Sequence, residues 1–241
     1  MRILAFDTAT RATAVALDDE TAGVREARHD PPPDERPGHA NQLLPLISSV
    51  MDRARVSWRD LDRIAVGLGP GTFTGLRIGV ATARALAQAT GAAVVGVSTL
   101  QALALNPHRL GCTDAGVVLA VLDARRGEVY AGAWDPRRLG DDPVLPVQAL
   151  TPRALCAAVP GLGPRPLGIG EGAVAFRDVL ERAGVYVPDD PSELHRVSAA
   201  GHGLLARRLP VSRSDALVPD YQRPPDAKPR STVSDVPHRP H

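Results

Sequence analysis

The chain has 241 residues, of which 44% are hydrophobic, 23% charged and only 3% aromatic. That length buries a core large enough for one large or two small domains, and Val, Leu, Ile and Ala must fill it. A formal net charge of +1 excludes the strongly basic balance of a protein that grips nucleic acid alone.

No run approaches the ~18 apolar residues of a membrane helix. The opening MRILAFDTAT carries an acid at Asp7, where a signal peptide would be apolar. A cytoplasmic location is expected. Cys112 and Cys156 have no CxxC or metal-ligand spacing around them and are expected as free thiols.

Residues 2–6 (RILAF) read as an apolar strand ending on Asp7 and Thr8. Residues 12–17 (ATAVAL) and 23–28 (GVREAR) read as two more strands around the polar turn Asp18-Asp19-Glu20. The stretch 30–38 (DPPPDERPG) is a loop, because its prolines exclude regular hydrogen bonding. A helix follows from His39, with Leu43, Ile47, Val50 and Ala54 at helical spacing. Pro45 is expected in its first turn, where N–H groups lack partners anyway. Leu44, Leu46 and Met51 widen the apolar surface, as in a helix that touches more than its own sheet.

Residues 63–68 (RIAVGL) and 92–97 (AAVVGV) are continuous apolar runs, of the kind buried on both faces of a parallel sheet. Between them the glycine-rich GLGPGTFTGLRIG (67–79) opens a helix over 72–89, and another helix starts at Thr99. The order β-β-β-α-β-α-β-α predicts a mixed sheet with its hairpin strands at one side and helices as crossovers.

A second cycle begins near residue 116. GVVLAVLD and EVYAGAWD pair around Ala124-Arg125-Arg126-Gly127. A proline-rich linker (142–152), a short helix (153–158), a strand (166–170) and helices over 173–183 and 197–209 are expected next. The residues after 222 are polar and proline-rich, with the composition of a disordered tail. The expected organisation is a first lobe over 1–107, a smaller lobe over 108–222 and a tail over 223–241.

The glycine-rich turn lacks the lysine of a GxxxxGK[ST] loop, and Thr72 stands where a GxGxxG fingerprint needs its third glycine. The strand-turn-helix context still offers an anion site. Gly75, Gly79, Ala83 and Ala87 recur every four residues, leaving one helix face almost bare. Two interior glycines cost about 0.8–1 kcal/mol each relative to alanine, so a close backbone contact must offset them. That contact is either the sheet beneath or a helix of another subunit. Asp7-Thr8-Ala9-Thr10 follows the first strand, where a carboxylate beside hydroxyls holds a metal-water or a phosphate, or simply makes a solvated turn. His39 stands alone near a helix start, no HxxxH or HExxH pair occurs, and Ser98 has no GxSxG elbow around it.

Five stretches taken together resemble one family: ILAFDTAT (3–10), HANQLLPLI (39–47), GLGPGTFTGLRIGVATARALA (67–87), LDARRGEVYAG (122–132) and LVPDYQRPPDA (217–227). They resemble the TsaB (YeaZ) family, the B subunit of the bacterial tRNA threonylcarbamoyladenosine synthase. The resemblance implies an α/β actin/sugar-kinase/Hsp70-like (ASKHA) fold of two lobes, each with a mixed sheet and flanking helices, the second reduced. It implies a scaffold that activates threonylcarbamoyl transfer to N6 of the adenosine next to the anticodon in tRNAs reading ANN codons. The chemistry belongs to the paralogous TsaD subunit, and a TsaE-type ATPase is the third partner. ATP or ADP and a metal belong to the assembled complex; this chain binds none tightly. tRNA is met through the complex, and the chain can also pair with itself.

Thr99 and Leu103 stand where the paralogue carries its metal-binding HxxxH, so no metal ligands and no catalytic residues are implied here. The family's interface maps onto Leu43, Leu46, Ile47, Val50, Gly75, Arg77, Gly79, Ala83, Arg84 and Ala87. Asp7, Thr8, Thr10, Gly69, Gly71 and Thr72 then form a vestigial nucleotide or phosphate loop. The alternatives are a glycoprotease-like metallopeptidase and an ASKHA-type small-molecule kinase.

Overall fold

The computed structural model describes residues 1–112, 116–135, 137–138 and 142–222. The expected tail over 223–241 lies outside the described residues. In chain order the first elements are β1 (Arg2–Asp7), β2 (Thr13–Asp19), β3 (Gly23–His29), α1 (His39–Ala54), β4 (Arg63–Gly69), α2 (Phe73–Thr90), β5 (Ala93–Ser98), α3 (Thr99–Ala104) and α4 (Asn106–Arg109). Then come β6 (Val118–Arg125), β7 (Glu128–Trp134), β8 (Leu145–Leu150), α5 (Pro152–Ala158), β9 (Leu167–Ile169), α6 (Glu171–Ala175), α7 (Arg177–Arg182) and α8 (Ala199–Ala206). Among the described residues no helix is long and apolar enough to cross a membrane.

The first sheet has the order β3-β2-β1-β4-β5. Its hairpin strands are antiparallel, and β1, β4 and β5 run parallel, with Leu4 opposite Leu17 on one side and Ile64 on the other. Period-2 alternation sends Leu4, Phe6, Val15 and Leu17 to the face covered by α1 and α2. It sends Ile3, Ala5, Ala14 and Ala16 to the opposite face, under Ala102 of α3 and Ala199, Ala200 and Leu205 of α8. Small residues dominate that second face, which lets the glycine- and alanine-rich α8 lie close to the sheet; a Cβ on Gly203 would stand 3.1 Å from Asp18 Cβ on β2, and one on Gly201 2.7 Å from the Ala102 carbonyl on α3.

The second sheet has the order β8-β7-β6-β9. Leu155, Ala173 and Leu180, from α5, α6 and α7, fill one face against Leu119, Val121, Val129 and Ala131. The other face packs on α3 through Leu100, Leu103 and Ala104 against Val118, Ala120, Leu122 and Tyr130. α3 is thus shared by both sheets.

Several expectations need correction. The proline-rich linker over 142–152 contains β8, which tolerates Pro146 because it is the sheet's edge strand with that residue exposed. The helix over 173–183 is two short helices that break at Phe176. Pro45 lies inside α1, beyond its first turn; it faces solvent, as does Asn41, whose carbonyl loses the i→i−4 bond. The stretch after the second sheet does not stay with it. α8 returns to the first sheet, Ser212 bridges Val94 on β5, and Leu217 is buried in the first-sheet core.

Candidate functional site

β1 delivers Asp7 to the parallel sheet's carboxyl end, beside the glycine-rich turn that follows β4. Asp7 is 1% exposed, and its oxygens are engaged. Oδ1 accepts the Ala9 N–H at 2.8 Å and Oδ2 accepts the Thr99 hydroxyl at 2.7 Å. His202 Nε2 of α8 stands 2.9 Å from Oδ2, an ion pair when the imidazole is protonated. Burial by itself would push the carboxyl up; the His202 contact, the Thr99 hydroxyl and the Ala9 amide outweigh it and hold Asp7 below its ordinary value. Gly67 is required here, since a Cβ would sit 1.9 Å from Oδ2.

The six residues of the expected vestigial loop therefore divide. Asp7 and Thr8 lie beneath the surface, Thr8 Oγ1 donating to the Gly75 carbonyl at 2.7 Å. Gly69 faces Leu76 and the Asp220 carbonyl. Thr10, Gly71 and Thr72 line a cleft of about 180 Å³ between the lobes. The Thr72 N–H is already donated to the Ala9 carbonyl at 2.7 Å, so that amide is not free for a phosphate.

Across the cleft stand Asp123, Arg125, Arg126 and Glu171, with Tyr221 and Gln222 at its side. Arg125 and Arg126 take left-handed backbone angles (φ 63° and 57°) at the tip of the β6–β7 hairpin, and Arg125 pairs with Asp123 at 3.3 Å. Arg11 is turned to the 30–38 loop, where it donates to the carbonyls of Pro32, Pro33 and Glu35. Desolvation, and next the negative charge of Asp123, raise the Glu171 carboxyl above its ordinary value. His39, the first residue of α1, is 3% exposed and shares a 2.8 Å hydrogen bond between Nδ1 and the Thr13 hydroxyl. Among the described residues no group of three or more His, Cys, Asp or Glu side chains is placed to hold a metal ion.

The bare stripe of α2 packs on its own chain. A Cβ on Gly75 would stand 1.9 Å from the Thr8 carbonyl, and one on Gly79 2.6 Å from Thr8 Oγ1. Ala83 and Ala87 are buried over the sheet, as are Leu43, Ile47 and Val50 of α1. Of the ten expected interface residues only Leu46, Arg77 and Arg84 reach the surface. The returning C-terminal segment occupies both arginines. Arg84 donates to the carbonyls of Asp215 and Leu217. Arg77 donates to the Tyr221 hydroxyl at 3.1 Å and lies 3.6 Å over the Phe73 ring.

The surface left open is different. On α2 it comprises Thr74, Ala81, Ala85 and Gln88, bordered by Arg77 where it meets Tyr221, beside half-buried Ile78, Thr82 and Leu86. On α1 it comprises exposed Leu44, Ser48 and Asp52, with half-buried Leu46 on the opposite flank of the helix. Sequence reasoning missed Ala81 and Ala85, and it missed His202. The signal for His202 was a polar residue framed by two glycines in an otherwise apolar helix, AAGHGLLA.

A parallel core with a hairpin edge, a second mixed sheet and a shared helix between them define an actin/sugar-kinase/Hsp70-like protein of two lobes. A solved structure of YeaZ from Pseudomonas aeruginosa superposes with a TM-score of 0.75 at 30% identity, covering 91% of this chain and 99% of that one. A protein of Mycobacterium tuberculosis (strain H37Rv) of uncharacterized function is 36% identical over 236 residues, 94% of each chain. The tRNA threonylcarbamoyladenosine biosynthesis protein TsaB of Escherichia coli (strain K12) is 42% identical over 130 residues, 54% of this chain. That match spans about half (53%) of the E. coli protein's length. Residues 31–142 match the model of the family TsaD, tRNA N6-adenosine threonylcarbamoyltransferase. The chain belongs to the TsaB (YeaZ) family.

Proposed function

We propose that this chain serves tRNA threonylcarbamoyladenosine biosynthesis as a non-catalytic subunit that docks on a TsaD-type transferase. The observation that carries the reading is the TsaD-family match over residues 31–142, a stretch that contains both α1 and α2. Two proteins that share a helix pair can pair those helices about a pseudo-two-fold axis, as identical subunits do about a true one. Ala81 and Ala85 keep the outer face of α2 low, so another helix can approach at the 8–10 Å separation typical of packed helices. Ile78, Leu86 and Leu46 supply apolar surface beside it. The same face would serve a homodimer, in competition with the transferase. TsaE-type ATPase and tRNA then meet the assembled pair.

The non-catalytic part rests on Asp7. A carboxylate at a strand's carboxyl end serves chemistry only if it faces the cleft, and this one is spent on Ala9, Thr99 and His202 inside the fold.

The test is reconstituted modification with a TsaD-type subunit, a TsaE-type ATPase, threonylcarbamoyl-adenylate, ATP and tRNA, with and without this chain. Product is expected only when the chain is present. Ala81→Arg with Ala85→Arg should weaken capture of the TsaD-type subunit at least ~10-fold and change stability by less than about 0.5 kcal/mol. Product formation independent of this chain, or unchanged capture by the double variant, overturns the reading.

A further inference from the structure

The chain leaves the first sheet through α3 and returns to it through α8; everything of the second sheet lies between them. Asp7 touches both crossings. Thr99, the first residue of α3, donates its hydroxyl to Oδ2 at 2.7 Å. His202, in the second turn of α8, brings Nε2 to the same oxygen at 2.9 Å. The other imidazole nitrogen, Nδ1, is 3.0 Å from the Ser198 carbonyl. A carbonyl oxygen and a carboxylate oxygen both only accept, so each imidazole nitrogen attracts its partner by carrying a hydrogen, Nδ1 toward Ser198 and Nε2 toward Asp7. Asp7, Thr99 and His202 are all at most 1% exposed.

The placement has a mechanical consequence. α3 packs on the first sheet through Ala102 and on the second through Leu100 and Leu103. A helix wedged between two sheets cannot tilt without carrying the second sheet with it. Close-packed interfaces respond to such a shift as a unit rather than by gradual deformation. The surroundings of Asp7 leave it no second arrangement: Gly67 and His202 close the space on its Oδ2 side, and the Ala9 amide holds Oδ1.

We propose that Asp7 is an interlobe clasp, a positioning residue whose carboxylate ties α3 and α8 together and so fixes the angle between the two lobes. The carboxylate at the strand end thus works as a mechanical anchor that makes the two sheets one rigid body. Taking away the carboxylate removes the one group that faces both crossings, and loosening both follows from that single change.

Pulsed electron-spin distance measurement on the full chain tests the clasp. Spin labels go on exposed positions of each lobe, Ser48→Cys on α1 and Arg153→Cys on α5, in a Cys112→Ser, Cys156→Ser background. The starting protein should give one narrow distance distribution. Asp7→Asn should broaden it roughly twofold, with hydrogen exchange accelerated at least ~10-fold in α3 and α8 together and unchanged in β2–β3. His202→Gln and Thr99→Val should each broaden it less, because one crossing stays tied. A wild-type distribution in Asp7→Asn overturns the proposal. If Asp7→Asn does not fold, wild-type widths in both single variants of the crossings overturn it. Uniform acceleration of exchange through the whole first sheet also overturns it, because that marks a core residue without a role in the lobe angle.

Discussion

The inner and outer faces of the helix pair α1 and α2 are built from similar residues and do opposite things. Inside α2, Gly75, Gly79, Ala83 and Ala87 are small because Thr8 and strand β4 lie against them. Outside, Ala81 and Ala85 are small with solvent in front of them. On α1 the inner face is His39, Leu43, Ile47, Val50 and Met51, and the outer face exposes Leu44 among Ser48 and Asp52. The lesson is that a stripe of small side chains states only that a backbone comes close. Which backbone is decided by the neighbouring strands and turns, and here the more regular stripe belongs to the chain itself.

The largest expected effect comes from breaking the inner face. Gly75→Val places its Cβ on the Thr8 carbonyl, and neither backbone can yield without separating α2 from the β1–β2 turn. We expect a loss of about 3 kcal/mol or more, the upper end for overpacking, read as the midpoint of urea unfolding. Gly75 tolerating Val at wild-type stability would mean that the turn does not sit against the helix. Ala83→Leu is milder, because Ala83 packs among the side chains of the first-sheet core. A cost of about 1–3 kcal/mol is expected, with partner capture reduced only in proportion to the unfolded fraction. That outcome separates the faces directly, since the changes at Ala81 and Ala85 should do the reverse, sparing stability and weakening capture at least ~10-fold.

Much of this architecture was legible in the sequence. RILAF, RIAVGL and AAVVGV are continuous apolar runs, and buried parallel strands need nothing else to announce them. The strand-turn-helix at GLGPGTFTG was equally plain, because Thr72 at the cap and glycines in the turn are local requirements. Long-range relations were not legible. His202 lies far along the chain from Asp7, and no periodicity links them. α8 is so uniformly small and apolar that its pattern points to no particular sheet. β8 was hidden by Pro146, which reads as a linker unless the strand is known to be an edge. The candidate cleft was half visible: Thr10, Gly71 and Thr72 line it, but nothing local said that Asp7 and Thr8 would be drawn beneath the surface by Thr99 and by the Gly75 carbonyl.

The smallest expected effect concerns the one titratable side chain on the inner face of α1. His39 is the first helical residue, and no side chain caps that end. The groups around it come from every element that packs there: the Thr13 hydroxyl on β2, the Thr10 carbonyl in the turn, Asp7 on β1 and His29 on β3. Burial, the leading cause, lowers its pKa below the ordinary value, and the neighbouring His29 adds to this; Asp7 and the Thr10 carbonyl oppose them without prevailing. The folded protein therefore prefers a neutral imidazole. Its contribution to stability is complete above the unfolded value, about 6.5, and is lost as pH falls from there toward the depressed folded value, because the unfolded chain takes up the proton first. His39→Gln keeps an acceptor for the Thr13 hydroxyl and carries no titrating group. The melting temperature of the wild type should thus fall more between pH 7.5 and pH 5 than that of His39→Gln. Equal falls in the two proteins would mean that the inner face of α1, like the outer one, is open to water at its first turn.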